Sequence, residues 1–200
     1  MSEAIAGYEA EADVLVDSFD SIDPHLVYAF VKDLLPTRPG RIVDIGAGTG
    51  RDAAWFVEAG HAVLAVEPVR GFREAGRRLH PVAGLEWLDD RLPDLPRLTA
   101  RNERFDLVLM TAVWHHLTPD ERGRAMDPLP RLVAPGGRLM LSLRHGPAPA
   151  SRTGFPAPPE DTVALATGAG LKLVAQRDTP SVSEANIAAG VTWTWLAFDA

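Results

Sequence analysis

Arg41-Ile42-Val43-Asp44-Ile45-Gly46-Ala47-Gly48-Thr49-Gly50 reads as a short buried strand carrying an acidic residue, followed by three glycines at alternate positions. Residues compatible with a helix, Arg51 to Ala59, follow at once. A strand that passes through glycines into a helix brings bare backbone N–H groups and a helix N-terminus beside a ligand, with no side chain in the way. The spacing separates this run from the dinucleotide fingerprint, which sets its third glycine three residues after the second. Here that position is Arg51, and the third glycine arrives one residue early, at Gly50. Asp44, two residues before the first glycine, also lies outside the dinucleotide pattern.

Outward from this run, strand-like and helix-like segments alternate from Arg41 to about Leu173, which predicts a parallel sheet with helices on both faces. Two helical patterns precede it, Glu3 to Phe19 and Pro24 to Leu35, the second stopped by Pro36 and the Pro39-Gly40 turn. Ala62 to Val66 reads as a buried strand, Pro68 to Leu79 as a helix, Leu85 to Leu88 as a third strand, and Leu92 to Asn102 as a connection with some helical character. Phe105 to Val113 is the strongest strand pattern. Thr118-Pro119-Asp120-Glu121 then has the composition of a capping box, opening a helix expected to run to about Val133. Pro135-Gly136-Gly137 is expected to turn into a strand from Arg138 to Leu143. Between His145 and Pro159 the composition shifts to proline, glycine and small residues, and a loop of that length in a compact domain is more often functional than idle. A helix (Glu160 to Thr167), a strand (Leu171 to Gln176), a loose connection and a strand (Val191 to Phe198) complete the chain, the two strands forming an antiparallel edge hairpin.

Bulk properties exclude several function classes. The 200 residues, 46% hydrophobic and 24% charged, predict one globular domain with a continuous core. A formal net charge of −7 with scattered arginines argues against nucleic acid or an anionic membrane surface as partner. With no cysteine, disulfides, thiolate metal sites and a cysteine nucleophile are excluded. Met1 to Glu11 lacks the basic and long apolar regions of a secretory signal, and no apolar run approaches the roughly 20 residues of a membrane span. The expectation is a cytoplasmic protein, monomer or homodimer, with no repeats and no second domain.

Asp44-x-Gly46-x-Gly48-x-Gly50 resembles the first motif of class I S-adenosylmethionine-dependent methyltransferases, of the small, bacterial, methyltransferase-11 type. Four more motifs follow in order: Glu67 and Pro68 at the second strand end, Asp89 and Asp90 at the third, the run Ala112-Val113-Trp114-His115-His116-Leu117 at the fourth, and Leu132 to Leu139 behind it. The resemblance spans about residues 40 to 145. It implies a Rossmann-like three-layer sandwich, with a seven-stranded, mostly parallel sheet and a C-terminal antiparallel hairpin. Residues 1–38 would form a helical cap over the pocket, 40–145 the cofactor-binding core, and 146–200 a substrate loop and the sheet-completing region.

By the same resemblance, Asp44, Gly46, Ala47, Gly48 and Gly50 hold the methionine portion of the cofactor, Asp44 favouring its ammonium group. Glu67, 21 residues after Gly46, has a carboxylate able to accept both ribose hydroxyls. Asp89 or Asp90 accepts from the adenine amino group, the Asp89 side chain being preferred, though a solvated acidic turn would read the same. Thr111, Ala112 and Val113 offer carbonyls to the methionine ammonium. The implied reaction is direct in-line transfer of an activated methyl group, yielding S-adenosylhomocysteine, so that positioning and exclusion of water are the protein's main tasks.

His115 and His116 are candidate bases because imidazole titrates near neutral pH, with one of the two expected to be structural. Adjacent histidines do not converge easily on one ion, and no metal site is expected. Arg144 and His145 end the fifth strand on the ligand side, where Arg144 suits a carboxylate or phosphate of the substrate, or simply a surface acid. Tyr8, Phe19 and Trp114 are candidate apolar walls, while Trp193 and Trp195 share one strand face and are expected in the core. The leading expectation is methyl transfer to a small molecule. A non-catalytic domain binding S-adenosylmethionine or S-adenosylhomocysteine is the alternative from another class. An NAD(P)-dependent oxidoreductase is disfavoured by Asp44, Gly50 and the lack of a Tyr-x-x-x-Lys pair. A nucleic-acid methyltransferase is disfavoured by the absence of a basic groove and of an Asn/Asp-Pro-Pro-Tyr run.

Overall fold

The computed structural model describes residues 1–149 and 151–200. Seven strands form one sheet in the order β3-β2-β1-β4-β5-β7-β6. They are β1 (Arg41–Ile45), β2 (Ala62–Val66), β3 (Leu85–Leu88), β4 (Phe105–Met110), β5 (Val133–His145), β6 (Lys172–Pro180) and β7 (Thr192–Asp199). β1 to β5 pair in parallel, and β7 runs antiparallel to both β5 and β6. This is the mostly parallel sheet with an antiparallel end that the sequence predicts. Strand order reverses between β1 and β4, where an open α/β sheet makes a crevice.

Strand alternation divides the core. Val43, Ile45, Leu64, Val66, Val108 and Met110 face one layer, and Ile42, Val63, Ala65, Leu107 and Leu109 the other. Burial on both faces is why these strands read as continuous apolar runs rather than as alternating ones. The helices are α1 (Ser2–Asp20), α2 (Pro24–Val27), α3 (Arg51–Glu58), α4 (Arg70–Leu79), α5 (Pro96–Ala100), α6 (Pro119–Ala125), α7 (Leu129–Leu132), α8 (Pro159–Gly168) and α9 (Glu184–Ala188). Tyr8, Ala12, Leu15 and Phe19 recur at helical spacing along α1 and pack with Val69 and Phe72 of α4, so α1 roofs the crevice.

Four elements depart from the expectation. The Pro24 to Leu35 helix unwinds after Val27 into a 3₁₀ turn (Lys32–Leu34), as Tyr28 and Val31 sink into the core. The capping box of α6 forms as read, with Thr118 Oγ1 accepting from Glu121 N–H and the Glu121 carboxylate from Thr118 N–H. Its helix, however, ends at Ala125 because Asp127 precedes Pro128, and α7 restarts it. Pro135-Gly136-Gly137 lies inside β5 as an irregularity opposite Phe105 and Leu107 instead of preceding the strand. The connection expected to be loose between β6 and β7 contains α9.

Gly76 of α4 fixes the distance between this helix and the glycine loop: a Cβ there would lie 2.5 Å from the Thr49 carbonyl oxygen and 2.4 Å from the Trp87 ring. Gly123, exposed on α6, has nothing within 4 Å of that position. Opposite effects follow from one substitution. Gly76→Ala is expected to lower stability by ~1–3 kcal/mol through overpacking, and Gly123→Ala to raise it by ~0.5–1 kcal/mol through helix propensity. Urea denaturation of both variants checks the pair; a neutral Gly76→Ala would refute the tight contact.

Candidate active site

β1 runs into a loop whose glycines all have positive φ: 80° at Gly46, 58° at Gly48 and 77° at Gly50. Their roles differ. A Cβ on Gly46 would come within 2.4 Å of Val113, so this glycine lets the loops after β1 and β4 touch. Gly48 has open space beside it. Gly50 caps α3 and fits under the Trp87 ring, 2.6 Å from a would-be Cβ. The loop is held from β2: Gly46 and Ala47 N–H donate to the Val66 carbonyl, and Gly48 N–H donates to Glu67 Oε2 at 2.8 Å. Glu67 Oε1 accepts from Val69 N–H at 2.8 Å.

A cavity of about 620 Å³ opens beyond these strand ends, under α1. Asp44, Gly46, Ala47, Gly48, Glu67, Pro68, Asp90, Thr111, Ala112, Val113, His115, His116, Arg144, Tyr8 and Phe19 all line it. Four expected site residues do not. Asp89, preferred from sequence, turns outward and pairs with Arg73 at 3.1 Å. Its neighbour Asp90 is buried at the cavity wall, where it accepts from the Arg91 and Leu98 amides. Gly50 packs under Trp87. Trp114 is fully buried, its indole N–H donating to Thr162 Oγ1 at 3.0 Å. His145 points to the opposite side of β5 from Arg144, as strand alternation requires, and bonds to Thr194 Oγ1 at 2.8 Å.

Asp44 is 2% exposed, and among the described residues it has no hydrogen bond or ion pair. Burial, then the nearby Asp52, hold its carboxyl well above the usual carboxylate range. Such a group at a cavity wall is suited to a cationic ligand, whose charge would favour the ionised form. Asp52 is itself engaged by Tyr28 O–H at 2.8 Å and by the Arg51 guanidinium at 2.6 Å, and Tyr28 also meets Thr111 Oγ1 at 3.0 Å. Burial pushes Glu67 up to about 7.

The far end of the cavity is built differently. Arg122, buried, donates to the carbonyls of Trp114, Phe155 and Pro156 and thereby pins the loop after β5 to the turn after β4. His116 Nδ1 lies 2.7 Å from the Thr153 carbonyl and Nε2 lies 2.9 Å from Tyr8 O–H. A carbonyl only accepts, so Nδ1 carries the proton, and Nε2 accepts from the phenol. Burial lowers the His116 pKa, and burial with the neighbouring His116 lowers that of His115 much further. His115 Nδ1 has no partner among the described residues.

Arg152, Ser142 and Trp193 also line the cavity, as do Ala185 and Asn186 of α9. None of these was anticipated as a site residue. Trp193 is half-buried at the wall, while Trp195 is buried as expected and still reaches the cavity. Of the expected substrate loop, Pro147, Ala148, Pro149 and Arg152 reach the cavity, and Ala150 lies outside the described residues. Among the described residues no group of three His, Asp or Glu side chains is arranged to hold a metal ion, and no helix is long and apolar enough to cross a membrane.

Comparison with known proteins points the same way. Residues 43–141, about half of the chain, match the family model described as a methyltransferase domain. An uncharacterized methyltransferase of Oceanobacillus iheyensis is 23% identical over 70% of this chain and 59% of its own length. One from Mycobacterium tuberculosis is 33% identical over 54% of this chain and 41% of its own length. The chain thus spans about half the length of the curated relatives it matches. The 1,6-didemethyltoxoflavin-N1-methyltransferase of Burkholderia thailandensis, solved with 1,6-didemethyltoxoflavin and S-adenosylhomocysteine bound, superposes with a TM-score of 0.67 at 21% identity. That superposition covers 96% of this chain and 87% of the other, and it shows a shared fold.

The raised Glu67 pKa fixes the sign of one stability effect. The folded protein binds this proton up to about pH 7, whereas the unfolded chain releases it near the ordinary 4.5. The wild type therefore loses stability at this group as pH rises through that window. Relative to Glu67→Gln, which does not titrate, it should become less stable by about 2–4 kcal/mol between pH 4.5 and 8. Denaturation curves of both proteins across this range check the trend; parallel pH profiles would contradict the raised value.

Proposed function

This chain belongs to the class I S-adenosylmethionine-dependent methyltransferase family, and we propose that it transfers the methyl group of S-adenosylmethionine to a small molecule, acting as one methyltransferase domain. The observation that carries the cofactor assignment is Asp44, buried at the cavity wall where strand order reverses and without a hydrogen-bond or ion-pair partner among the described residues. Asp44 would take the cofactor's ammonium group. Glu67 retains lone pairs for two ribose hydroxyls while it holds the Gly48 and Val69 amides. Asp90, which lines the cavity as Asp89 does not, would accept from the adenine amino group. Thr111, Ala112 and Val113 would supply the remaining carbonyl and wall contacts. When bound, the cofactor would supply a sulfonium-activated methyl group for in-line transfer to a lone pair of the acceptor, leaving S-adenosylhomocysteine.

The rest of the reaction falls to the chain's own residues. α1 and the loop after β5 exclude water from the cavity. An acceptor O–H or N–H must shed its proton, and Tyr8 with His116 forms a route for it. The phenol oxygen receives the acceptor's proton while its own passes to His116 Nε2, and the Thr153 carbonyl steadies the resulting imidazolium through Nδ1–H. In this reading His116 acts through Tyr8, and His115 shapes the wall. Its ring lies 4.1 Å from that of His116 and edge-on to Trp193. A cavity of about 620 Å³ is of a size for a small-molecule acceptor beside the cofactor, and the net negative charge disfavours nucleic acid.

Calorimetric titration with S-adenosylmethionine, S-adenosylhomocysteine and NADH tests the cofactor. Micromolar binding of the adenosyl compounds, at least tenfold weaker in Asp44→Ala, with no response to NADH, is the expected pattern. NADH binding, or a folded protein that binds none of the three, would remove the basis of the proposal.

The relay has its own test in the ring nitrogens of His116. Nitrogen-15 NMR at pH 7 should show a neutral imidazole protonated on Nδ1, in wild type and in Tyr8→Phe alike. An Nε2–H tautomer, or an imidazolium at that pH, would rule out the route through Tyr8.

A further inference from the structure

The carboxylates around the cavity are confined to one side, where Arg51, paired with Asp52, and Arg91 also line it. All four carboxylates that line it, Asp44, Asp52, Glu67 and Asp90, come from the strand ends and helix on the cofactor side. The far side contributes no carboxylate and two guanidiniums, those of Arg144 and Arg152. Arg144 is held by neutral acceptors alone, and Arg152 by one long ion pair. Arg144 donates to the carbonyls of Gly146 and Pro147 and to the Asn186 side-chain oxygen, all neutral, and among the described residues no carboxylate pairs with it. Arg152 lies 5.4 Å over the Tyr8 ring, and its Nε, 3.5 Å from a Glu11 oxygen, has no hydrogen-bond partner among the described residues. Its side chain is only 17% exposed, so this N–H is withdrawn from water as well.

Each guanidinium also affects the other titrating groups here. Arg144 and Arg152 both push His116 toward its neutral form, and Arg152 adds to burial in lowering the pKa of Arg144. Arg144 has no carboxylate partner among the described residues and Arg152 only the Glu11 oxygen at 3.5 Å, so an oxyanion in the cavity would still add charge pairing, and the planar fork of arginine matches a carboxylate or phosphate in two hydrogen bonds. The walls between them and the histidines are apolar: Ile5, Pro147, Pro149 and Trp193.

We propose that the methyl acceptor is a small, largely apolar molecule bearing an oxyanion, a carboxylate or a phosphate ester, held by Arg144 and Arg152 with its nucleophilic atom turned toward Tyr8. This deepens the methyltransferase reading and rests on it. The cavity then has matched polarity: a carboxylate-rich end for a cofactor carrying sulfonium and ammonium charges, and a guanidinium end for the acceptor. Opposite charges also keep each ligand out of the other's half.

The experiment is calorimetric titration of the full chain, free and saturated with S-adenosylhomocysteine. The probes are 4-hydroxybenzoate, indole-3-acetate and phenyl phosphate, each beside a neutral counterpart (4-hydroxybenzamide, indole-3-acetamide and phenol). At least one anion should bind tenfold or more tightly than its counterpart, and the carboxylate and phosphate arms identify which oxyanion is preferred. Arg144→Gln and Arg152→Gln should each weaken that anion at least tenfold, Arg144→Lys less, and all three should hold S-adenosylhomocysteine within twofold of wild type. Equal binding of anions and neutral counterparts overturns the proposal. So does a loss of S-adenosylhomocysteine affinity in the variants with the anion unaffected, since the arginines would then serve the cofactor's own carboxylate. Failure of wild type to bind S-adenosylhomocysteine would instead defeat the methyltransferase reading, and the titrations of the free protein would still decide whether the arginine pair takes an anion.

Discussion

The Glu67 carboxylate, at the end of β2, accepts from the amides of Gly48 and Val69, and the glycine-loop side of the cavity depends on that pair of bonds. A loop of three positive-φ glycines has little stiffness of its own, because glycine carries the greatest conformational freedom of any residue. The Val66 carbonyl and the Glu67 side chain remove that freedom by binding three successive amides of the loop, those of Gly46, Ala47 and Gly48. The arrangement has a cost, visible in the raised pKa of Glu67, since desolvation outweighs both amide bonds. Asp44 bears the same cost without an amide to offset it. A site with two such carboxylates is poorly stabilised when free, and a cationic, hydroxyl-bearing ligand recovers what burial took.

The parts of this design that follow from backbone periodicity were legible in the sequence. Buried parallel strands read as short apolar runs, and the residues just beyond them fall at the sheet's carboxyl edge whatever the helices do. That is why Asp44, Glu67 and Thr111 were placed correctly at the cavity. The errors share a cause: the direction of a single side chain is decided by its neighbours in space. Asp89 and Asp90 are indistinguishable as a pair, and Arg73, reaching over from α4, draws Asp89 outward. Arg144 and His145 are adjacent, so strand alternation allows only one of them to face the cavity. Trp114 looks like a wall until the turn after Val113 drives it inward against Thr162. Arg152 sits in a proline-rich loop with no period, and nothing in its local sequence says that Tyr8, 144 residues earlier, will lie under it.

That last contact joins α1 to the loop after β5 at the far side of the cavity. α1 delivers Tyr8, the turn after β4 delivers the histidines, and Arg122 ties the loop carrying Thr153 and Arg152 to that turn. None of these elements makes a site alone. Their meeting above the carboxyl edge of the sheet is a tertiary event, and the acceptor half was correspondingly the less readable one.

The two halves also differ in what they ask of evolution. A cofactor-binding edge is constrained by fixed ligand chemistry, so its carboxylates and glycines must sit at strand ends that cannot move without disrupting the sheet. The far side takes its lining side chains from a helix, a loop and strand ends, positions that tolerate change more readily than the buried residues of the same strands. A charge pair such as Arg144 and Arg152 can therefore be gained or lost while the cofactor half stays intact. Under the proposed function, the polarity of the far end, rather than the motifs at the near end, is the feature that would set which molecule is methylated.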